Sequence, residues 1–494
     1  MTNGARATSS PAGLAASVEA QVRTGDRFAG LFATVREDGS TVLRAVVATP
    51  HHLEVTEAVL PAGILTYPAL TPAVPAASWY EREIHDLFGL VPSGHPRLDS
   101  LVFPRADGAR APLAGSRLTE RLVPDLRPLP SHVSGEGVFT IAYGPVRSGV
   151  FESIEYLVET TGEEIPHLRT RVYLKHRGLD YRFCDLKAAD AVLLAERVEG
   201  TCSVAHALAF SLALESLGDV EPPRGAELLR LVHAELERVA VHLDSVVRHT
   251  EGSGQAVAYA RMSLHKETVL RLRARLCGHR FGRGVVIPGG VAGRPQMDLR
   301  SAISELARLE DALTGDAEAL MGTPSFLDRL RGTGTLAPEL VRAHGAVGPV
   351  ARGSGLAEDV REDRPYGAYR DLGFEAVGFD NGDAFARQQV RLGEIAQSLT
   401  LVRRALAELE GSPPGPWRGE VPPVDGLALV SVEAPQGELI YLVEVKAGRL
   451  ERVKPRCASF HNLALFHQAF GGDIFTDFVF IEASFGLSIA GVAG

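Results

Sequence analysis

Cysteine is scarce in this chain. Of 494 residues four are cysteine, at positions 184, 202, 277 and 457, and no two form a C-x-x-C pair. Thiols so few and so scattered exclude a disulfide framework and point to a reducing compartment. No uncharged apolar run of about 18 residues occurs, the length that a membrane-crossing helix requires. The opening stretch MTNGARATSSPAGLAASVEA lacks the basic start and unbroken apolar run of a secretory leader. A Lys/Arg tract is missing too, and the formal charge is -10, which excludes a nucleic-acid surface and an anionic-lipid anchor, since both need clustered positive charge. The expectation is a protein that is soluble in itself and cytoplasmic, able to dock peripherally onto a membrane complex.

What is present divides the chain into parts. Residues 1–24 read as a disordered N-terminus. Residues 25–103 read as a small α/β domain: RFAGLFATV and TVLRAVVAT flank REDGS, whose Asp38-Gly39 is a hairpin signal. That domain ends in SWYEREIHDLFGL, with Tyr80, Ile84, Leu87 and Phe88 at helical spacing and Gly89 as a stop. Residues 104–137, rich in Pro, Gly and charge without a period, read as a linker or strap. Residues 138–494 read as a mainly helical domain with β-hairpins. One apolar stripe runs through Leu228, Val232, Leu236, Val239, Leu243 and Val246, and another through Leu392, Ile395, Leu399, Val402, Leu406 and Leu409. GLALVSVEA and LIYLVEV, separated by PQGE, predict a hairpin beside them. The fold class expected is α+β.

Glu81, Arg82, Glu83, His85 and Asp86 crowd onto one predicted helix, where Arg82 and Asp86 stand four apart and can pair. On composition this is a solvated or interface-facing polar helix rather than an acid–base site. The pattern E-R-E-x-x-D-L-F-G followed by G-H-P resembles the signature of the 30-kilodalton-type subunit of respiratory complex I. Further on, YGPVRSGVFESIEYLVE, AERVEGTCSVAHALAF, GHRFGRGVVIPGGV, GLAEDVREDRPYGAY and VEAPQGEL follow in order. They resemble the family that holds both the 49-kilodalton-type subunit of complex I and the large subunit of nickel–iron hydrogenases. The likeness spans most of the chain from about residue 27 and implies a fused module in the peripheral arm of a membrane-bound, energy-converting redox complex.

The resemblance raises a metal question. Nickel–iron chemistry needs four soft thiolates, which hydrogenases of this family supply as two C-x-x-C pairs. The first pair falls here on Glu199 and Cys202. The best register for the second, a D-P-C-x-x-C pattern, falls on Ser484, Phe485, Gly486 and Ile489. One thiolate cannot assemble that centre, so no metal and no hydrogenase activity are expected, and Cys202 reads as a small buried residue. Complex I reuses the vacated cavity for a quinone headgroup, held by a tyrosine and a histidine. Those positions are Gly200 and Arg147 here, so the complex I mechanism does not transfer residue for residue.

Two outcomes stay open for the former metal pocket. Arg147 and Glu199 bind and protonate a quinone, a carboxylic acid being able to donate a proton, or they form a buried pair that fills the cavity. Cys202, His206 and Gly200 are the candidate acceptor-contacting positions. His206, four residues beyond Cys202, also reads as a hydrogen-bonded core histidine. Asp359 and Arg361, in a loop that the resemblance puts near the cavity, are candidates for a polar gate. GRGVVIPGGV has neither a Walker lysine nor G-x-G-x-x-G spacing, so NADH, where the complex uses it, binds elsewhere.

Three readings follow. The chain passes electrons from an iron–sulfur cluster in a partner small subunit to a quinone-like acceptor, or it is a non-catalytic scaffold of such a complex, or it is a hydrogenase with unorthodox ligands. The missing thiolates speak against the third. The chain alone is expected to bind no cofactor. Its expected partners are the iron–sulfur small subunit and membrane-embedded ion-translocating subunits, on the cytoplasmic side of the membrane.

Overall fold

The computed structural model describes residues 6–104, 110–114, 133, 135–147 and 152–494. Most of the strap expected over 104–137 therefore lies outside the described residues. The N-terminal part comprises β1 (Arg6–Ser9), α1 (Pro11–Arg23), β2 (Arg27–Val35), β3 (Thr41–Ala48), β4 (Leu53–Leu60) and α2 (Ser78–Phe88). The strands form one sheet in the order β1-β4-β3-β2, with β1 parallel to β4 and the other pairs antiparallel. The β2–β3 hairpin turns where expected: the Asp38 carboxylate accepts from the Ser40 backbone N–H at 2.9 Å, and Gly39 adopts a φ of +79°.

Two expectations fail in this part. Residues 11–23 are a helix, not disordered. Ser10 caps it by accepting from the Gly13 N–H at 3.1 Å, Pro11 sits in the first turn, and Leu14 and Val18 are fully buried beside the sheet. The charged face of α2 is not solvated but buried, with Glu83 facing the second part as the interface-facing alternative has it, and the expected Arg82–Asp86 pair does not form. Glu81 accepts from the Leu70 and Thr71 amides at 2.8 and 3.0 Å, and Asp86 from the amides of 101–103 at 2.7–3.2 Å. Arg82 reaches the carbonyl and carboxylate of Asp99, and Glu83 binds Lys454 at 2.6 Å. These groups satisfy backbone donors and hold the neighbouring domain, work that burial makes necessary.

The second part begins with a three-stranded antiparallel sheet of β5 (Phe139–Tyr143), β6 (Glu155–Thr160) and β7 (His167–Arg171). Five long helices follow: α3 (Ser203–Gly218), α4 (Arg224–Gly252), α5 (Ala256–Cys277), α6 (Leu299–Met321) and α7 (Ala384–Gly411). α4 packs along α7, and all six positions of the α4 stripe are fully buried. On α7 the stripe is buried except at the half-buried Leu392. α3 is buried from Ser203 to Glu215, which explains its near-continuous apolar sequence.

The C-terminal strands β8 (Gly426–Ala434), β9 (Gly437–Lys446) and β10 (Arg449–Arg456) make a three-stranded antiparallel meander, one strand more than the expected hairpin. β10 reads RLERVKPR and hides from an apolar pattern because its inward groups are charged and paired. Arg452 meets Asp180 at 3.0 Å and Arg456 meets Glu438 at 2.6 Å. Glu438 also receives Arg27 of β2 and Arg364, each at 2.7 Å, which ties the two parts together. Burial opposes its ionisation, but the three guanidiniums win and hold its carboxyl well below the usual range. The chain closes with α8 (Phe478–Phe485) and α9 (Ile489–Ala493).

Candidate functional site

The segment before α3 carries Glu199 and Cys202 to the N-terminal end of that helix, and both are buried. Thr201 Oγ1 donates to Glu199 Oε1 at 3.0 Å and Gln436 Nε2 donates to the same oxygen at 2.7 Å. The Cys202 thiol donates to Gln436 Oε1 at 3.0 Å. His206 Nε2 lies 3.6 Å from Glu199 Oε2, while its Nδ1 is 2.7 Å from the Tyr441 hydroxyl. The structure thus brings together Glu199, Cys202 and His206, and adds Gln436 and Tyr441 from the C-terminal sheet.

This donor set does not fit a nickel–iron centre. Burial, reinforced by the Glu199 charge, pushes the Cys202 thiol well above its usual range. Cys457 lies in the same region and is raised to about 12 for the same two reasons. A Cβ on Gly491 would stand 2.8 Å from Glu199 Oε2 and 3.0 Å from Cys457 Sγ, so the C-terminal position aimed at the former pocket carries no side chain. Of the register expected for the second pair, Ser484 accepts from Arg387 Nε at 2.9 Å, and Gly486 and Ile489 lie on the wall of a neighbouring cleft. Among the described residues no group of three or more His, Cys, Asp or Glu could hold a metal ion.

That cleft has a volume of about 190 Å³ and opens beside Thr201 and Gln436. Arg147 lines it but does not pair with Glu199. It makes a bidentate pair with Glu482 at 2.7 and 3.0 Å, with its guanidinium stacked over Tyr143 and Tyr156. Glu152, on another wall, accepts from the backbone N–H groups of Ile489 and Ala490 at the start of α9. Burial and the nearby Glu199 charge push the Glu152 carboxyl up. His242 of α4 reaches Glu394 of α7 at 2.7 Å, and burial pulls its imidazole down to about 4, so it is neutral near pH 7.

Asp359 and Arg361 do not line the cleft. They are fully buried and bonded to each other at 2.7 Å, in a network with Arg352, Glu394, Glu433 and Glu235 that is hydrogen-bonded to the cleft residue His242. A residue in that position holds the loop rather than swinging as a gate. Gly200 is exposed, and a Cβ there would point to Arg283 at 3.7 Å, away from the cleft. Glu152, His242, Arg391 and Gln436 were not singled out in the sequence. Glu152 and Gln436 lie inside family motifs, whereas His242 and Arg391 sit on the two apolar-striped helices, where periodicity draws the eye to other positions.

Two family descriptions match the chain: "Respiratory-chain NADH dehydrogenase, 30 Kd subunit" over residues 25–114 and "Respiratory-chain NADH dehydrogenase, 49 Kd subunit" over residues 253–422. The chain is 34% identical to the "Carbon monoxide-induced hydrogenase" of Rhodospirillum rubrum over 330 residues, covering 66% of this chain and 90% of that protein. It is 30% identical to "NADH-quinone oxidoreductase subunit 4" of Thermus thermophilus over 70% of this chain and 92% of that one. It is also 30% identical to the "Membrane-bound hydrogenase subunit alpha" of Pyrococcus furiosus, covering 70% of this chain and 84% of that protein.

Proposed function

Since the chain belongs to the family of the respiratory-chain NADH dehydrogenase 49-kilodalton subunit and its hydrogenase relatives, with a 30-kilodalton-subunit domain fused ahead of it, we propose that its cleft receives a quinone-like electron acceptor. In this reading the protein is a peripheral-arm subunit of a membrane-bound respiratory or hydrogenase-related complex. It docks onto an iron–sulfur small subunit and membrane-embedded subunits on the cytoplasmic side. None of its described helices is long and apolar enough to cross a membrane. The observation that carries the reading is an open cleft, of about 190 Å³, whose wall residues Thr201 and Gln436 both hydrogen-bond Glu199.

The reaction balances as one quinone plus two electrons plus two protons giving one quinol. The electrons come from the partner's cluster. The chain's own residues exclude bulk water, seat the ring and move protons. Gln436 and Thr201 fix Glu199 in one orientation. For the relay the Thr201 hydroxyl, which lies between Glu199 and the cleft and donates to Glu199 at rest, turns to give its proton to the acceptor while accepting one from Glu199, and His206 with Tyr441 stands behind Glu199 to replace it.

The test is reoxidation of the reduced partner cluster in the purified complex, followed by electron paramagnetic resonance with and without a short-tailed quinone. Wild type reoxidises only with quinone, and Glu199→Gln slows this by ~10²-fold or more, the usual contribution of a positioned acid–base group. A wild-type cluster that stays reduced with every quinone tried refutes the reading.

A further inference from the structure

Most buried arginines of this protein are closely paired, and of the three described ones that are not, Arg273 stands 3.8 Å from Glu237, Arg387 donates to Ser484 Oγ and to the Gly382 and Gly334 carbonyls, and Arg391 alone lines the cleft. Arg230, Arg238, Arg352, Arg361 and Arg456 each lie within 3.1 Å of a carboxylate oxygen. Arg391 on α7 is 2% exposed yet makes no ion pair among the described residues. Among the described residues its guanidinium makes one hydrogen bond, from Nη1 to the Arg387 carbonyl at 3.2 Å, and it borders the cleft. Glu394, the nearest source of negative charge, is already taken by Arg352 at 2.7 Å and His242 at 2.7 Å. Burial, with repulsion from Arg352, pulls Arg391 down to about 10 against the attraction of Glu394, so it remains a cation at neutral pH.

A buried cation without a partner costs stability. A protein keeps such a group where a ligand completes it. The same wall carries His242, whose Nε2–H must donate to the Glu394 carboxylate, leaving Nδ1 as a bare acceptor. The cleft therefore offers a charged donor and a neutral acceptor side by side. The first suits a carbonyl oxygen or the oxyanion it becomes, the second the hydroxyl of the reduced form. Val241, Phe466, Leu487 and Ile489 supply an apolar part of the lining, and the carboxylates of Glu152, Asp244 and Glu482 on the same walls disfavour a small hydrated anion. The volume, about 190 Å³, slightly exceeds the roughly 150 Å³ that takes a benzene ring.

We infer that Arg391 is the oxygen-recognising residue of the cleft: its free N–H groups donate to a ring oxygen of a one-ring quinone seated against His242. This rests on the quinone reading above and names the headgroup class and the residue that selects it.

The experiment uses the complex of this chain with its iron–sulfur small subunit, titrated with a benzoquinone carrying a decyl tail, and records binding affinity and thermal midpoint together. Loss of a hydrogen bond to a charged donor predicts that Arg391→Gln weakens binding by ~10- to 100-fold. Its thermal midpoint stays level or rises, because an unneutralised buried charge has been removed. Arg271→Gln, which alters an exposed arginine outside the cleft, paired with Glu267 at 2.7 Å, changes affinity by less than about threefold. Wild-type affinity in Arg391→Gln, or a fallen midpoint with unchanged affinity, overturns the inference and leaves the quinone reading standing. Failure of the wild-type complex to bind the probe removes the quinone reading as well. If Arg391→Gln does not fold, Arg391→Lys decides: the charge remains but the planar donor fork is lost, so affinity falls by at least about threefold, and equal affinity overturns the inference.

Discussion

Arg352 is the hub of the buried network behind the cleft, and its removal has a calculable effect. Its guanidinium reaches Glu394 at 2.7 Å, Glu433 at 2.9 Å, Asp359 at 3.0 Å and the Glu358 carbonyl at 2.9 Å, with every ion-pair partner buried. Arg352→Met keeps the volume and deletes the charge. Asp359 retains Arg361, and Glu433, which burial and the neighbouring Asp359 already raise to about 7, neutralises itself by taking a proton. Glu394 is left with His242 and, farther off, with Arg238 at 3.8 Å and Arg361 at 3.9 Å. Breaking one side of a buried pair costs ~3–5 kcal/mol, and the self-neutralisation of Glu433 places this case near ~3 kcal/mol. An unfolding entropy of ~2.1 cal/mol/K per residue over a helical part of about 350 residues turns that into a fall of ~4 °C in Tm. The pH sign is fixed by Asp359 and Glu394, whose carboxyls the arginines hold below their usual values despite burial. Their contribution is present above the ordinary carboxylate range and lost as pH falls through it, so the gap between wild type and variant is full near pH 7 and closes below about pH 4. Calorimetry at several pH values decides. A variant within about 1 °C of wild type at pH 7, or a gap that widens on acidification, refutes the reasoning.

Other substitutions probe the surroundings. Glu237 is raised to about 7 by burial, even though it accepts from the Val204 and Ala205 amides at 2.8 and 3.0 Å. The native state thus binds the extra proton between about pH 4.5 and 7, and stability falls as pH rises through that window by up to ~3 kcal/mol. Glu237→Gln removes this slope, visible as parallel rather than converging denaturation midpoints across the window. Gly491→Ala forces a Cβ to within 2.8 Å of Glu199 Oε2. It should cost ~1–3 kcal/mol of stability and slow quinone-dependent cluster reoxidation, whereas Gly415→Ala, with nothing within 4 Å, should do neither. Glu482→Gln strips the charge from the bidentate Arg147 pair and should cost ~2 kcal/mol or more in urea denaturation. An unchanged midpoint would show that Arg147 is held by Tyr143 and Tyr156 alone.

The two long helices were legible because burial repeats along them: Leu228 to Val246 and Ile395 to Leu409 follow the helical period, and all are buried. Glu199 and Cys202 were legible because thiolate chemistry fixes a spacing that one of them breaks. The charges of α2 were not, because their partners are remote. Glu83 and Lys454 are 371 residues apart, and no local rule distinguishes a carboxylate that will find a lysine from one that will face water. β10 was missed for the same reason, its inward arginines and lysine being matched by groups elsewhere in the sequence: Asp180, Glu83 of the N-terminal part, and Glu438 on the neighbouring strand. Arg147 and Glu199 are both in the site region, but the sequence held no hint that Glu482 would claim the arginine. Asp359 and Arg361 carried the right chemistry for a gate, and their complete burial assigns them to the frame instead. Gln436, which bonds both Glu199 and Cys202, lay within a recognised motif, and only the folded arrangement gives it meaning.

The central claim is that an acceptor occupies the cleft between His242, Arg391 and Gln436. The most direct measurement is photolabelling of the intact complex with an azido-substituted benzoquinone, followed by mass spectrometry of this chain. The account predicts label on the segments that carry Val241 to Arg248 and Gly486 to Ile489, which line the cleft, and loss of that label when excess unlabelled quinone is present. Label confined to other subunits, or label here that unlabelled quinone does not displace, would contradict it.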